Sequence, residues 1–265
     1  MGDDALVCEA HPARIGSPAR WLTGSRVSLG VGTAAVLVTA LSARRDQVGQ
    51  REARAFQAVN GLPDSLYRPV WVVMQLGALG AVPAAATAAL LAHDRELAGR
   101  LLAGGTASWA LAKLVKRVVR RPRPAALISG TRTRGPEASG LGYLSGHAGV
   151  ATAMGAAALP RLSPAGRAAV AAVVPAVGLA RIYVGAHLPL DVAGGAGLGL
   201  AVDAAVVLAG PSAAVAKRWA GPARRSRRPK NVSAARNPFQ PSGSTSAGRP
   251  GSAYGSRRQS VSAAR

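Results

Sequence analysis

The chain alternates uncharged apolar runs with short polar breaks, and the runs predict helices. Val27–Ala43 is one, bracketed by Arg26 and by Arg44-Arg45. Pro69–Ala92 is the longest; it opens with Trp71 near one boundary and carries Pro83, where a kink is expected. A bilayer core asks for about 20 apolar residues, which the second run meets and the first nearly meets. Four further runs are less clean. Leu97–Val115 includes Lys113, His147–Leu159 and Ala168–Leu179 are short, and Val192–Leu208 contains Asp203. Two good spans commit the chain to a membrane, and the weaker helices can shelter inside a bundle. Small residues such as Gly195 and Gly199, a GxxxG pair, suit close helix packing. The pattern predicts an all-α polytopic membrane helical bundle of about six transmembrane helices.

Composition adds a tail and an orientation. Apolar residues make up 49% of the 265-residue chain, yet aromatics only 4%, so Ala, Val, Leu and Gly supply the volume. The formal charge of +22 implies anionic partners: nucleic acid, anionic lipid or phosphate esters. Much of it is terminal, since Pro211 to Arg265 holds twelve Lys or Arg and no acid. The tail is basic, rich in Pro, Ser and Gly and without apolar periodicity, a disordered composition. Three parts follow: an N-terminal polar segment 1–26, a membrane-embedded domain 27–212, and a disordered basic tail 213–265. The positive-inside tendency puts the tail in the cytoplasm. With six spans, the loops after the third and fifth then face outward. The loop after the third is itself very basic, against the charge rule, and that violation asks for a functional reason. The N-terminus MGDDALVCEAHPAR lacks the basic and apolar regions of a cleaved signal, so the first helix must direct insertion. Cys8, the only cysteine, excludes an intrachain disulfide and a cysteine-based metal site, and is given no role.

Three polar clusters carry the candidate chemistry. The basic stretch KLVKRVVRRPRP, Lys113 to Pro124, places Lys113, Lys116, Arg117 and Arg120 at helical spacing, on one face of the helix end, before Pro122 and Pro124 end the helix. It reads either as a solvated basic helix end or as a clamp in which Lys116 and Arg123 converge on a phosphate. In LSGHAGVATAMG, Ser145 is placed to cap a helix, Gly146 allows close backbone approach, and His147 opens the helix. That is either a cap with an interfacial histidine or an anion site at a helix N-terminus. In ARIYVGAHLPLD, Arg181 can grip phosphate oxygens bidentately. Leu188-Pro189 starts the last helix just after His187 and leaves Asp191 in its first turn. From there the carboxylate can orient the imidazole as a nucleophile or a base; a purely structural His–Asp pair is the rival reading. In the six-span arrangement all three clusters emerge on one membrane face, where together they make a phosphate site with two histidines.

The pattern Lys116…Arg123-Pro124, Ser145-Gly146-His147, Arg181…His187…Asp191 resembles the three-part signature of the type 2 phosphatidic acid phosphatase superfamily. The resemblance covers roughly Pro69 to Leu208. It departs from the usual pattern at Leu144, where a proline is common, and at Ala180, where a serine is common. It implies a helical bundle in which His187 attacks phosphorus and Asp191 orients and stabilises the imidazolium. His147 is then the general acid and base, while Lys116, Arg123, Arg181, Ser145 and Gly146 hold the phosphoryl oxygens. Such a cation cluster can replace a metal in phosphoryl transfer. The resemblance therefore implies metal-independent hydrolysis of a lipid-linked phosphate monoester or diphosphate, with no cofactor.

The expected setting is the cell membrane, with the active site on the outer face and the tail in the cytoplasm. The partners are a lipid phosphate substrate and the membrane, with the basic tail on anionic lipid; no specific nucleic acid is expected. Rival readings are a lipid phosphotransferase or a vanadate-dependent oxidation in the same pocket, and a non-catalytic anchor with an anion-binding tail. PSGS at Pro241–Ser244 lacks the histidine and is irrelevant to the site, and Arg257-Arg258-Gln259-Ser260 resembles a basic phosphorylation site. Asp203 finds no role in the sequence.

Overall fold

The computed structural model describes residues 18–45, 47–136 and 140–210. Among these residues there are helices and no strands. The order is α1 (Pro18–Ala43), α2 (Gln50–Asn60), α3 (Tyr67–Gln75), α4 (Ala81–Leu91) and α5 (Arg95–Val119). Then follow α6 (Pro124–Leu127), α7 (Gly146–Ala158), α8 (Pro164–Tyr183) and α9 (Pro189–Ala209). The expected N-terminal segment lies mostly, and the basic tail wholly, outside the described residues.

Helix α9 is the hub, packing against α1, α5 and α7. Small residues make this approach possible. A side-chain carbon on Gly195 would run into the Ser145 carbonyl oxygen, and one on Gly199 into the Gly149 carbonyl oxygen. The GxxxG pair is thus a real contact, and it holds the start of α7 against α9. The outer surface is apolar: Val38, Leu41 and Leu91 are 63%, 68% and 77% exposed. Leu22–Ala43, Pro164–Tyr183 and Pro189–Ala209 are long and apolar enough to cross a bilayer.

Two expectations need correction. The long run Pro69–Ala92 is not one helix. It breaks at Leu76–Gly80, ahead of Pro83, which sits in the first turn of α4, where proline is tolerated. Gly77 lies in that break, so close to the His147 carbonyl oxygen that a Cβ there would clash at 2.6 Å. The basic stretch also does not present one common face. Lys113 lies over the Trp109 ring at 3.7 Å, Arg117 and Arg120 are exposed, and only Lys116 turns inward. Helix α5 ends before either proline, on Arg120 in the left-handed conformation (φ 55°). The chain then redirects, and Arg121 is buried next to the exposed Arg120.

Helix α2 escaped the hydropathy reading because only one of its faces is apolar. It buries Phe56 and Asn60 and exposes Arg51 and Arg54. Asn60 Nδ2 donates to the Arg132 carbonyl at 2.8 Å and to the Tyr183 carbonyl at 2.9 Å, and its Oδ1 accepts from Arg132 N at 2.9 Å. Arg134 stacks on Tyr183 at 4.1 Å and donates to the Asn60 and Tyr183 carbonyls at 2.9 and 2.6 Å. These bonds pin the loop after α6 to α2 and to the end of α8.

Candidate active site

All three clusters meet at one end of the bundle. Lys116, in the last turn of α5, donates through Nζ to the carbonyls of Leu141 and Gly142 at 3.1 and 3.0 Å. Arg123 follows the redirected chain and donates through Nη1 to the Ala186 carbonyl at 2.7 Å, beside His187. Pro124 then opens α6 at its first position, as proline favours.

Ser145 is fully buried and caps α7: its Oγ accepts from Ala148 N at 3.4 Å, while its own N–H donates to the Asp191 carbonyl at 2.8 Å. Gly146 and His147 are the first helical residues, so the α7 amides and the imidazole emerge together at the N-terminus. The bond to Asp191 joins the second cluster directly to the third.

Arg181 closes α8. Its Nη1 lies 2.8 Å from the Met74 sulfur, and its Nε is buried with no hydrogen-bond partner. The chain turns through Val184–Gly185, with Gly185 at φ 75° where a Cβ would run into the Arg132 carbonyl, a position that favours glycine. It then delivers His187 just ahead of α9. His187 is 3% exposed, and burial pushes its imidazole down to about 3 despite Asp191 beside it, so the ring is neutral at neutral pH.

Asp191 is fully buried in the first turn of α9. Its Oδ2 accepts from Leu188 N at 2.8 Å and its Oδ1 accepts from Arg121 Nη1 at 2.9 Å. His187 Nδ1 stands 3.7 Å from Oδ2, beyond hydrogen-bond length, and has no other partner. Asp191 therefore acts on the imidazole as a fixed charge. Arg123, Arg181 and Asp191 are all near enough to act electrostatically on Lys116, and Arg181 and Lys116 act likewise on His147.

Beside Arg123 and Arg181 opens a cavity of about 840 Å³, walled by Tyr67, Trp71 and Met74 of α3 and roofed by Arg134 and Leu141. Among the described residues no three His, Cys, Asp or Glu gather as a metal-binding group. The two acids at the site, Glu52 and Asp191, are both bound by Arg121. Glu52 and Arg121 are what the sequence reading missed: Arg121 stands in the spacer between Lys116 and Arg123, and Glu52 belongs to no motif.

The family model of the PAP2 superfamily matches residues 97–213. A decaprenylphosphoryl-5-phosphoribose phosphatase of Mycobacterium tuberculosis (strain ATCC 25618 / H37Rv) is 38% identical over 138 residues, covering 51% of this chain and 69% of the relative. The protein of that name from strain CDC 1551 / Oshkosh matches equally. The chain belongs to the PAP2 superfamily. It is a phosphoric ester hydrolase, a phosphatase built on membrane helices. Two crystal structures share the fold. Aquifex aeolicus LpxE has a TM-score of 0.56 at 20% identity and covers 61% of this chain and 98% of its own. A transmembrane PAP2 type phosphatidylglycerolphosphate phosphatase from Bacillus subtilis has a TM-score of 0.51 at 21% identity, covering 74% and 99%.

Proposed function

We propose that the protein hydrolyses a lipid-linked phosphate monoester or diphosphate through a phosphohistidine intermediate, without a metal. The observation that carries this reading is the convergence of Lys116, Arg123, Arg181 and the α7 N-terminus around His187 held beside Asp191. His187 attacks phosphorus as the bond from phosphorus to the leaving oxygen breaks, and His147 protonates that oxygen. Water then attacks the phosphohistidine, His147 takes its proton, and inorganic phosphate leaves. Lys116, Arg123, Arg181, the Ser145 hydroxyl and the Gly146 amide hold the phosphoryl oxygens; the unpartnered Arg181 Nε is a donor suited to that task.

The cavity beside the clamp is large for a phosphate alone, and its α3 wall is aromatic. Together with the M. tuberculosis relative, this favours a substrate with a sugar or similar bulky group between phosphate and lipid. Six spans in the plasma membrane, with the site at the outer face and the tail in the cytoplasm, remain the arrangement we favour. The apolar exterior and the basic tail support it.

The test is phosphate release by the purified chain in detergent and chelator, across phosphatidic acid, phosphatidylglycerol phosphate, polyprenyl diphosphate and a prenyl-linked sugar phosphate. At least one should be hydrolysed, and His187→Ala should abolish the release. Equal release by wild type and His187→Ala removes the phosphohistidine. Products that depend on a lipid acceptor convert the reading to a phosphotransferase.

A further inference from the structure

Arg121 leaves the end of α5 at 4% exposure and meets two carboxylates from distant parts of the chain. Its Nη1 and Nη2 fork onto Glu52 Oε1 and Oε2 at 3.0 and 2.7 Å, and the same Nη1 reaches Asp191 Oδ1 at 2.9 Å. Glu52 Oε1 also accepts from Leu190 N at 3.1 Å, in the first turn of α9. A carboxylate on α2, a guanidinium after α5 and the start of α9 form one buried unit. Glu52 lies outside residues 97–213, where the family model matches.

The unit fixes Asp191 in two ways. Arg121 holds Oδ1 and the Leu188 amide holds Oδ2, so the carboxylate plane is set from both sides. The charges matter as much. One guanidinium is shared by two carboxylates, so Arg121 does not cancel Asp191 by itself. Its better fork goes to Glu52, and the Asp191 carboxylate it shares stands 3.7 Å from His187 Nδ1. A purely structural ion pair needs only one acid. The second takes up part of the Arg121 charge, so that less of it offsets the Asp191 carboxylate facing the imidazole.

We propose that Glu52 and Arg121 are positioning residues of this active site: Arg121 fixes the Asp191 carboxylate, and Glu52 holds Arg121 while leaving Asp191 the charge that stabilises a positive His187. The proposal rests on His187 being the nucleophile. It makes α2 part of the catalytic architecture without giving it a contact to substrate.

The experiment uses the full-length protein in detergent and chelator, reading phosphate release from the lipid phosphate it hydrolyses best. Thermal unfolding is followed on each variant. Glu52→Gln keeps the shape and removes the charge; it should lower kcat about tenfold with KM within about twofold. Glu52→Asp, which keeps the charge, should recover most of that loss. Arg121→Met should lower kcat about a hundredfold, since it leaves two buried acids without the guanidinium that binds both. In an Asp191→Asn background, Glu52→Gln should add little further loss, because the charge it preserves is already gone.

Wild-type kcat in Glu52→Gln overturns the proposal. So do equal losses in Glu52→Asp and Glu52→Gln, or losses that multiply fully with Asp191→Asn. Should Glu52→Gln fail to fold, a wild-type kcat in Arg121→Lys, which keeps the charge but loses the fork, overturns it as well. An active His187→Ala breaks the nucleophile reading instead. An inactive His187→Ala beside a fully active Glu52→Gln breaks only the positioning role.

Discussion

Helices α5 and α9 carry a buried arginine–acid contact at each end, and the two ends differ in what surrounds them. At the site end, Arg121 bridges Asp191 and Glu52, and Asp191 faces an imidazole. At the other end, Arg100 Nη2 meets Asp203 at 2.8 and 3.1 Å, with the apolar side chains of Leu200, Val207 and Leu159 nearby. The rise of α5 separates Arg100 from Lys116 by about 24 Å. Charge in an apolar bundle is costly unless paired. The far pair meets that condition with one acid. The site end goes past it, sharing one guanidinium between two acids and setting one of them beside a histidine. Function shows here as an excess beyond what burial requires.

Substitutions at the two ends should therefore fail differently. The largest effect is His187→Ala, which should lower turnover at least about a thousandfold with unfolding temperature unchanged, as phosphate release and a melting curve would show. Arg181→Lys keeps a charge but loses the bidentate grip, and should cost about a hundredfold in kcat/KM. A loss confined to stability would remove Arg181 from the clamp. Asp203→Ala leaves Arg100 buried without its acid. It should cost about 3 kcal/mol of stability and lower the unfolding temperature, while the folded enzyme keeps its kcat within about twofold. A collapse of kcat in folded Asp203→Ala would break the contrast between the ends. The smallest effect is expected from Tyr143→Phe. The Tyr143 hydroxyl bonds Thr39 Oγ1 and the Val36 carbonyl, each at 2.8 Å, and ties α1 to the segment leading into Ser145. Its removal should cost about 1 kcal/mol in unfolding and leave turnover nearly intact.

The proposed catalytic groups were legible because each stands at or beside a helix end that local residue types mark. Lys116 lies in the last turn of α5, Arg123 caps α6, Ser145 and His147 open α7, and Arg181 and His187 flank a turn. Ser145 caps α7 as its residue type predicts, and Pro189 starts α9 where proline should. The break at Leu76–Gly80 was not legible. Apolar periodicity runs straight through it, and what forces a glycine there is the His147 carbonyl, a partner from another helix. Helix α2 was missed because a short amphipathic helix carries no hydropathy signal.

The sequence by itself determined the helical bundle, its apolar exterior and the residue types able to bind and cleave a phosphate ester, since these follow from local spacing and side-chain chemistry. Only the tertiary structure decided which charges are partners. Asp203 looked orphaned until α5 brought Arg100 to it across 103 positions, and Glu52 gained meaning only where Arg121 reaches it across 69. The physical reason is that a buried charge must be neutralised by whatever lies near it in space, and spatial neighbours in a helical bundle leave no trace in linear order.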